Sequence, residues 1–158
     1  MGSWIVWESN RHLFFMPRKY LPETGKQLVI KRADGCCEYC KSPMKYSPQP
    51  YTIDHIIPLA QKGSNSLENL ALACGGCNAH KYTKTEALDP ITGELVPLYH
   101  PRKETWIAHF DWDADFLQII GITPSGRATV RALNLNRPEL VNLREILLFT
   151  GEHPPLHL

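Results

Sequence analysis

The sequence lacks several features that would assign a function at once. Its formal net charge is only +1 over 158 residues, so overall charge singles out no partner. No apolar run approaches the roughly 20 residues of a membrane-spanning helix, and the N-terminus lacks the basic start and cleavage site of a secretory signal. Neither a glycine-rich phosphate loop nor a serine nucleophile elbow occurs. We therefore expect neither a membrane protein nor a P-loop or serine enzyme.

The charge is nevertheless distributed unevenly along the chain. Residues 1–84 carry 11 Lys and Arg against 6 Asp and Glu, whereas residues 85–158 carry 6 against 10. A basic first half suits a phosphate backbone, although a solvated surface gives similar counts.

The five cysteines include two Cys-x-x-Cys pairs, Cys37 with Cys40 and Cys74 with Cys77. This spacing is more typical of a metal site than of a disulfide scaffold. Four thiolates complete a tetrahedral Zn²⁺ and leave no position for water, which predicts a structural zinc. Cys36 is either a spare thiol or an alternative ligand, and the better spacing of Cys37 favours the spare. Thiolates that must stay reduced predict a cytoplasmic protein.

The region of the two Cys pairs predicts a strand, a loop, a second strand and a helix. Residues 51–53 have the β-branched and aromatic content of a strand, and residues 67–73 contain a second strand. We predict a helix over residues 23–33, before the first pair, and another over about residues 78–88, after the second.

In the C-terminal half, the sequence predicts a further layer of structure. Thr123 and Pro124 suit the cap and first position of one helix. Residues 136–139 resemble a capping box for a last helix through Phe149.

The dipeptide Asp54-His55 lies where the first predicted strand ends. Successive side chains of a strand face opposite ways, so the two residues can address a metal and a water from different sides. Asp54 offers an oxygen ligand suited to Mg²⁺, and histidine has the pKa of a general base near neutrality. Asn78 offers a second oxygen ligand, and Lys81, one turn further on, could meet a phosphate. Such a dipeptide alone is more often structural, and its position between two Cys pairs favours chemistry.

Taken together, these residues resemble the HNH endonuclease family, most closely its branch with a four-Cys zinc. The resemblance covers about residues 32–84 and rests on Cys37-x-x-Cys40, Ile53-Asp54-His55-Ile56-Ile57-Pro58, Asn69-Leu70 and Cys74-x-x-Cys77-Asn78-x-x-Lys81. The remainder resembles an extension of some bacterial members, through Asp89-x-x-Thr92-Gly93-Glu94-Leu95-x-Pro97-Leu98 and Gly121-Ile122-Thr123-Pro124-x-Gly126-Arg127-Ala128-Thr129.

The resemblance implies an α+β protein with a ββα-metal core that grips a divalent ion and cuts DNA. His55 matches the general base, and Asp54 and Asn78 match ligands of a catalytic Mg²⁺, Mn²⁺ or other divalent ion. Asn69 matches the middle residue of the family motif, which braces the loop that bears the base. His80 is a further possible ligand. Lys62-Gly63 stands where family members often have paired glycines.

We accordingly divide the chain into an N-terminal arm (residues 1–21), an HNH nuclease domain (residues 22–88) and a C-terminal extension packed on the core (residues 89–158). The favoured function is a metal-dependent DNA endonuclease. The alternative is a non-catalytic zinc module that binds nucleic acid or protein, and it would not need Asp54, His55 and Asn78 together.

Overall fold

The computed structural model describes residues 21–156, so the predicted N-terminal arm lies outside the described residues except for Leu21. This part of the chain contains four α-helices and six short strands, which confirms the α+β class. The helices are α1 (Glu23–Arg32), α2 (Gly75–Lys81), α3 (Pro124–Ala132) and α4 (Pro138–Phe149); the strands are β1 (Thr52–His55), β2 (Leu70–Ala73), β3 (Glu86–Leu88), β4 (Leu95–Pro97), β5 (Phe110–Trp112) and β6 (Ile119–Gly121). Over residues 21–156, no helix is long and apolar enough to cross a membrane.

The first hairpin forms the centre of the fold. β1 and β2 pair antiparallel from Thr52 opposite Ala73 to His55 opposite Leu70, and α2 follows β2 directly. The predicted order of strand, loop, strand and helix is therefore confirmed.

Strand β2 is buried on both faces, and its Leu-Ala-Leu-Ala sequence fits that position. The larger residues Leu70 and Leu72 pack with Val29 of α1. The smaller Ala71 and Ala73 face the main core, which includes the four paired cysteines. Alternation along the strand thus places α1 on one side of the hairpin and the Cys pairs on the other.

The predicted helix over residues 78–88 is wrong at both ends. α2 begins at Gly75 because the Cys74 side chain caps it, accepting a hydrogen bond from the Cys77 amide at 3.4 Å. It ends at Lys81 because Tyr82 takes a backbone conformation outside the helical region, with φ 49° and ψ −118°. Glu86–Leu88 is strand β3, paired antiparallel with β4.

The C-terminal half adds two hairpins and two helices. Thr123 caps α3 as predicted, its hydroxyl accepting from the Gly126 amide at 3.0 Å. The predicted last helix is present as α4, but the capping box is wrong, because the cap residue Arg137 makes no side-chain cap hydrogen bond. The Asn136 side chain instead bonds both the amide and the carbonyl of Ile119, at 2.8 and 2.9 Å.

The motifs of the C-terminal extension have a structural explanation in one buried ion pair. Asp89 is fully buried and accepts two hydrogen bonds from Arg127, at 2.8 and 2.7 Å. The same carboxylate accepts from the Thr92 hydroxyl at 2.9 Å, which holds the β3–β4 turn. These contacts with Arg127 hold the pKa of Asp89 far below its usual range. The Asp-x-x-Thr motif and the Gly-Arg motif therefore supply the two partners of one buried ion pair.

Trp106 joins the C-terminal half to the first Cys pair. Its ring is 2% exposed and packs against Phe110 and Trp112, with centroids 5.2 and 5.4 Å away. The indole Nε1 donates to the carbonyl of Tyr39 at 3.0 Å. One side chain thus fills the core and satisfies a backbone acceptor between Cys37 and Cys40.

We expect Trp106→Ala to lower the free energy of unfolding by about 3–5 kcal/mol, because it opens a large cavity and leaves the Tyr39 carbonyl unpaired. Ile107→Ala is the matched control, since this neighbour is 60% exposed, and we expect it to stay within about 0.5 kcal/mol. Urea unfolding followed by circular dichroism measures both. Equal midpoints for the two variants would contradict the role given to Trp106.

Candidate active site and metal centre

The four paired cysteines form one buried cluster. The sulfurs of Cys37, Cys40, Cys74 and Cys77 all lie within 4.8 Å of one another. Cys36 is not part of the cluster, which agrees with its interpretation as a spare thiol. Four sulfurs this close, on two separate turns, have the chemistry and spacing of a tetrahedral Zn²⁺ site.

Each Cys pair is shaped by local backbone contacts. In the first, the Cys37 amide donates to the Ser42 carbonyl and the Lys41 amide to the Cys37 carbonyl, both at 2.9 Å. Lys41 takes a left-handed conformation, with φ 60°, that turns the chain back after Cys40. In the second pair, the capped start of α2 points Cys74 and Cys77 to the same side.

The thiols of the cluster influence one another's pKa values. Burial raises the pKa of Cys37 well above its usual value. Hydrogen bonds from the neighbouring thiols, that of Cys37 foremost, hold the pKa of Cys74 far below it. Packed together in the core, the sulfurs require a cation to become four thiolates.

Asp54 points into the protein and carries a buried ion pair. Its Oδ2 accepts from the Tyr39 hydroxyl at 2.7 Å and lies 3.1 Å from Nζ of Lys81. The side chains of Lys81 and Asp54 are only 2% and 5% exposed. Lys81 also donates to the His55 carbonyl at 3.0 Å. The predicted phosphate contact of Lys81 does not match this placement, because its ammonium faces the interior and ties α2 to β1.

His55 lies on the opposite face of β1 and is half-buried. Its Nε2 is 2.8 Å from the side-chain oxygen of Asn65. When Nε2 carries the proton, the Asn65 oxygen accepts from it, and Nδ1 keeps its lone pair in the neutral ring. Asn65 therefore orients the histidine ring. Sequence reasoning missed it, because Asn65 lies in a polar loop without a distinguishing pattern.

Asn69 holds the loop that follows His55. Its side chain accepts from the Ile57 amide at 2.9 Å and donates to the carbonyls of Ile57 and Ser64, at 2.9 and 2.8 Å. One buried side chain therefore holds three backbone groups of this loop in place.

The conformation of the same loop explains why it contains Lys62-Gly63 and not two glycines. Lys62 has φ 65°, a left-handed conformation that glycine adopts with less strain. At Gly63 a Cβ would lie 1.8 Å from the Ile57 carbonyl oxygen and 2.9 Å from Nδ2 of Asn69. Only the second position excludes a side chain, so lysine is accommodated at the first.

Asn78 and His80 lie on α2. Asn78 is one turn before Lys81, on the face that approaches Asp54, although it is the fourth residue of the helix and does not open it. Among residues 21–156 the Asn78 side chain has no hydrogen-bond partner. His80 is exposed, and its backbone carbonyl accepts a hydrogen bond from Lys84 at 2.6 Å.

The HNH endonuclease family model matches residues 37–84. This segment contains the Cys cluster, Asp54, His55, Asn69 and Asn78, so the chain carries an HNH endonuclease domain there. The cluster is consistent with the zinc-binding branch of the family. No curated protein and no solved structure matches the chain. The match lies within the predicted domain of residues 22–88, whose boundaries stay a prediction.

We expect Lys81→Met to lower the free energy of unfolding by about 3–5 kcal/mol, because it leaves the buried Asp54 carboxylate without its counter-charge. Lys84→Met removes an exposed lysine three residues away and should change stability by less than about 0.5 kcal/mol. Chemical denaturation of the two variants makes the comparison. A Lys81 variant as stable as the wild type would show that the pair contributes nothing to the fold.

Proposed function

We propose that this protein is a metal-dependent HNH endonuclease that hydrolyses phosphodiester bonds in DNA, with His55 as the general base. The observation that carries the proposal is the orientation of His55 by Asn65, in a segment that matches the HNH family. A half-exposed histidine that is held through Nε2 can present Nδ1 to a water molecule and remove a proton from it.

In the proposed reaction Nδ1 of His55 takes a proton from a water molecule as the water oxygen attacks phosphorus. A new P–O bond forms while the bond to the leaving oxygen of the sugar breaks. Asn65 stabilises the imidazolium by accepting from Nε2, and Asn69 keeps the following loop in place through the Ile57 backbone. The protein thus contributes a positioned base on a braced loop.

Asp54 and Asn78 fit a hard divalent ion such as Mg²⁺ or Mn²⁺ by their chemistry, since both offer oxygen ligands. Oδ1 of Asp54 has one contact within residues 21–156, with Nζ of Lys81 at 3.4 Å, and so keeps acceptor capacity. An ion bound there would neutralise charge on the phosphate and the leaving oxygen. The bound ion and the Lys81 ammonium would then both contact the Asp54 carboxylate. His80, exposed on α2, is a secondary candidate ligand.

DNA is the proposed substrate because two exposed lysines lie on adjoining segments of the HNH segment. Gln61 Nε2 donates to the Thr83 carbonyl at 2.7 Å, which brings the loop of Lys62 beside the segment of Lys84. Both lysines are exposed, and although Lys84 donates to the His80 carbonyl at 2.6 Å, an ammonium at the surface can still meet a phosphate. The basic first half of the sequence supports the same assignment.

We expect the purified protein to nick supercoiled plasmid with Mg²⁺ or Mn²⁺, and His55→Ala to reduce the rate by about 10²–10⁴-fold. His109→Ala, which removes a ring that contacts Glu104 and Thr123 in the C-terminal half, is the matched histidine control and should cut at the wild-type rate. The quantity measured is the initial rate of nicked-circle formation across a panel of divalent ions. Equal cutting by the His55 variant would refute the catalytic assignment. Salt-dependent DNA binding without cleavage at any ion would favour the alternative of a zinc-stabilised binding module.

We also propose that the four-Cys cluster holds a structural Zn²⁺. Such sites contribute roughly 10–16 kcal/mol of apparent binding free energy, enough to determine whether a small domain folds. We expect one zinc per chain by elemental analysis, and loss of both zinc and native circular dichroism in Cys74→Ser. Cys36→Ser is the matched control, because Cys36 is buried but outside the cluster, and it should keep both. A folded, zinc-free wild-type protein would exclude the assignment.

A further inference from the structure

Arg137, the residue that precedes α4, lies directly over the second Cys pair. Its Nη2 donates to Sγ of Cys74 at 3.2 Å and its Nη1 to Sγ of Cys77 at 3.6 Å. Nη1 also donates to the Asn134 carbonyl at 3.2 Å, which fixes the guanidinium over the sulfurs. The two arms of one planar group therefore reach two sulfurs of the same cluster.

Packing at Gly76 shows how closely the guanidinium sits against the second Cys pair. A Cβ at Gly76 would lie 2.5 Å from Nη2, 2.6 Å from Cζ and 2.8 Å from Nε of Arg137. Gly76 lies inside α2 with ordinary helical geometry, where alanine would otherwise be the better residue. The absence of a side chain here leaves the space that Arg137 occupies.

The negative charge of a zinc-loaded cluster explains why a cation beside it would be stabilising. Four thiolates around Zn²⁺ carry a net charge of −2, and the four sulfurs are buried in the main core. Two other cations lie near the cluster. Arg144 is bonded to the carbonyls of Leu117 and Leu135, and Lys41 lies over the ring of Trp106. Within residues 21–156, Arg137 is the one charged side chain that donates hydrogen bonds to the sulfurs.

We propose that Arg137 is an outer-sphere partner of the zinc site, which retains the metal by donating to the Cys74 and Cys77 thiolates. The C-terminal half of the chain is then part of the metal centre and not only a layer packed on it. This inference rests on the zinc assignment above and extends it. Outer-sphere partners of this kind typically change metal affinity by 10–100-fold when they are removed.

The test measures zinc transfer from the folded, zinc-loaded full-length chain to an excess of a chromophoric chelator. We expect Arg137→Gln to release zinc about 10–100-fold faster than the wild type. Arg137→Lys keeps the charge but loses the planar fork, and should lie between the two. Arg131→Gln, which removes an exposed arginine of α3, is the matched control and should release zinc at the wild-type rate.

A double-mutant cycle separates this role from general destabilisation. Gly76→Ala should speed zinc release, although alanine favours the helix, because its Cβ displaces the guanidinium. If that effect acts through Arg137, the combined Gly76→Ala and Arg137→Gln variant will release zinc no faster than Arg137→Gln alone. Multiplied effects in the double variant would mean that Gly76 acts independently and would overturn this explanation.

Wild-type release rates in Arg137→Gln and Gly76→Ala would overturn the inference while leaving the zinc assignment intact. A wild-type chain that contains no zinc would instead refute the assignment on which the inference rests. If Arg137→Gln fails to fold, the Arg137→Lys and Gly76→Ala variants decide, since a folded variant of either kind with unchanged release contradicts the proposal. Near-ultraviolet circular dichroism of each loaded variant establishes that it is folded.

Discussion

The constraint on which the structure depends is the placement of four sulfurs in the middle of its main core. Charged thiolates there are costly unless a metal and hydrogen-bond donors compensate them. Several contacts around the cluster hold the cysteines in place. The Cys74 side chain caps the start of α2, backbone hydrogen bonds form a turn at Cys37, and Arg137 donates to the sulfur of Cys74. Apolar side chains from both halves of the chain then close the core around the cluster.

The cluster and the proposed active site are linked through a few side chains. Tyr39, between the first two cysteines, donates its hydroxyl to Asp54 and its carbonyl accepts from Trp106. Lys81, four residues after Cys77, joins the same carboxylate to α2. Asp54 is therefore held by groups from both Cys pairs. Since His55 is the next residue on the strand, the position of the base depends on the same scaffold.

Sequence reasoning found the parts of this site that rest on residue type and spacing. Two Cys-x-x-Cys pairs identify their own chemistry, and β1, β2 and the cap at Thr123 follow from local preferences. It missed Asn65 and Arg137, because each acts through tertiary contacts 10 or more residues away along the chain. The end of α2 was missed because it lies at Tyr82, whose backbone has φ 49° and ψ −118°, a conformation that residues other than glycine rarely adopt.

The C-terminal half completes the core through three contacts with the Cys pairs. Arg102 forms an ion pair with Glu38, Trp106 donates to the Tyr39 carbonyl, and Arg137 donates to the second pair. Glu38 also accepts from the Leu72 amide at 2.8 Å, so the first contact continues into β2. Each of these residues donates to a buried polar group of the Cys pairs, and removing a donor from such a group costs more than removing one at the surface. The HNH segment and the C-terminal half therefore share one hydrophobic core, even though the family motif occupies only the first of them.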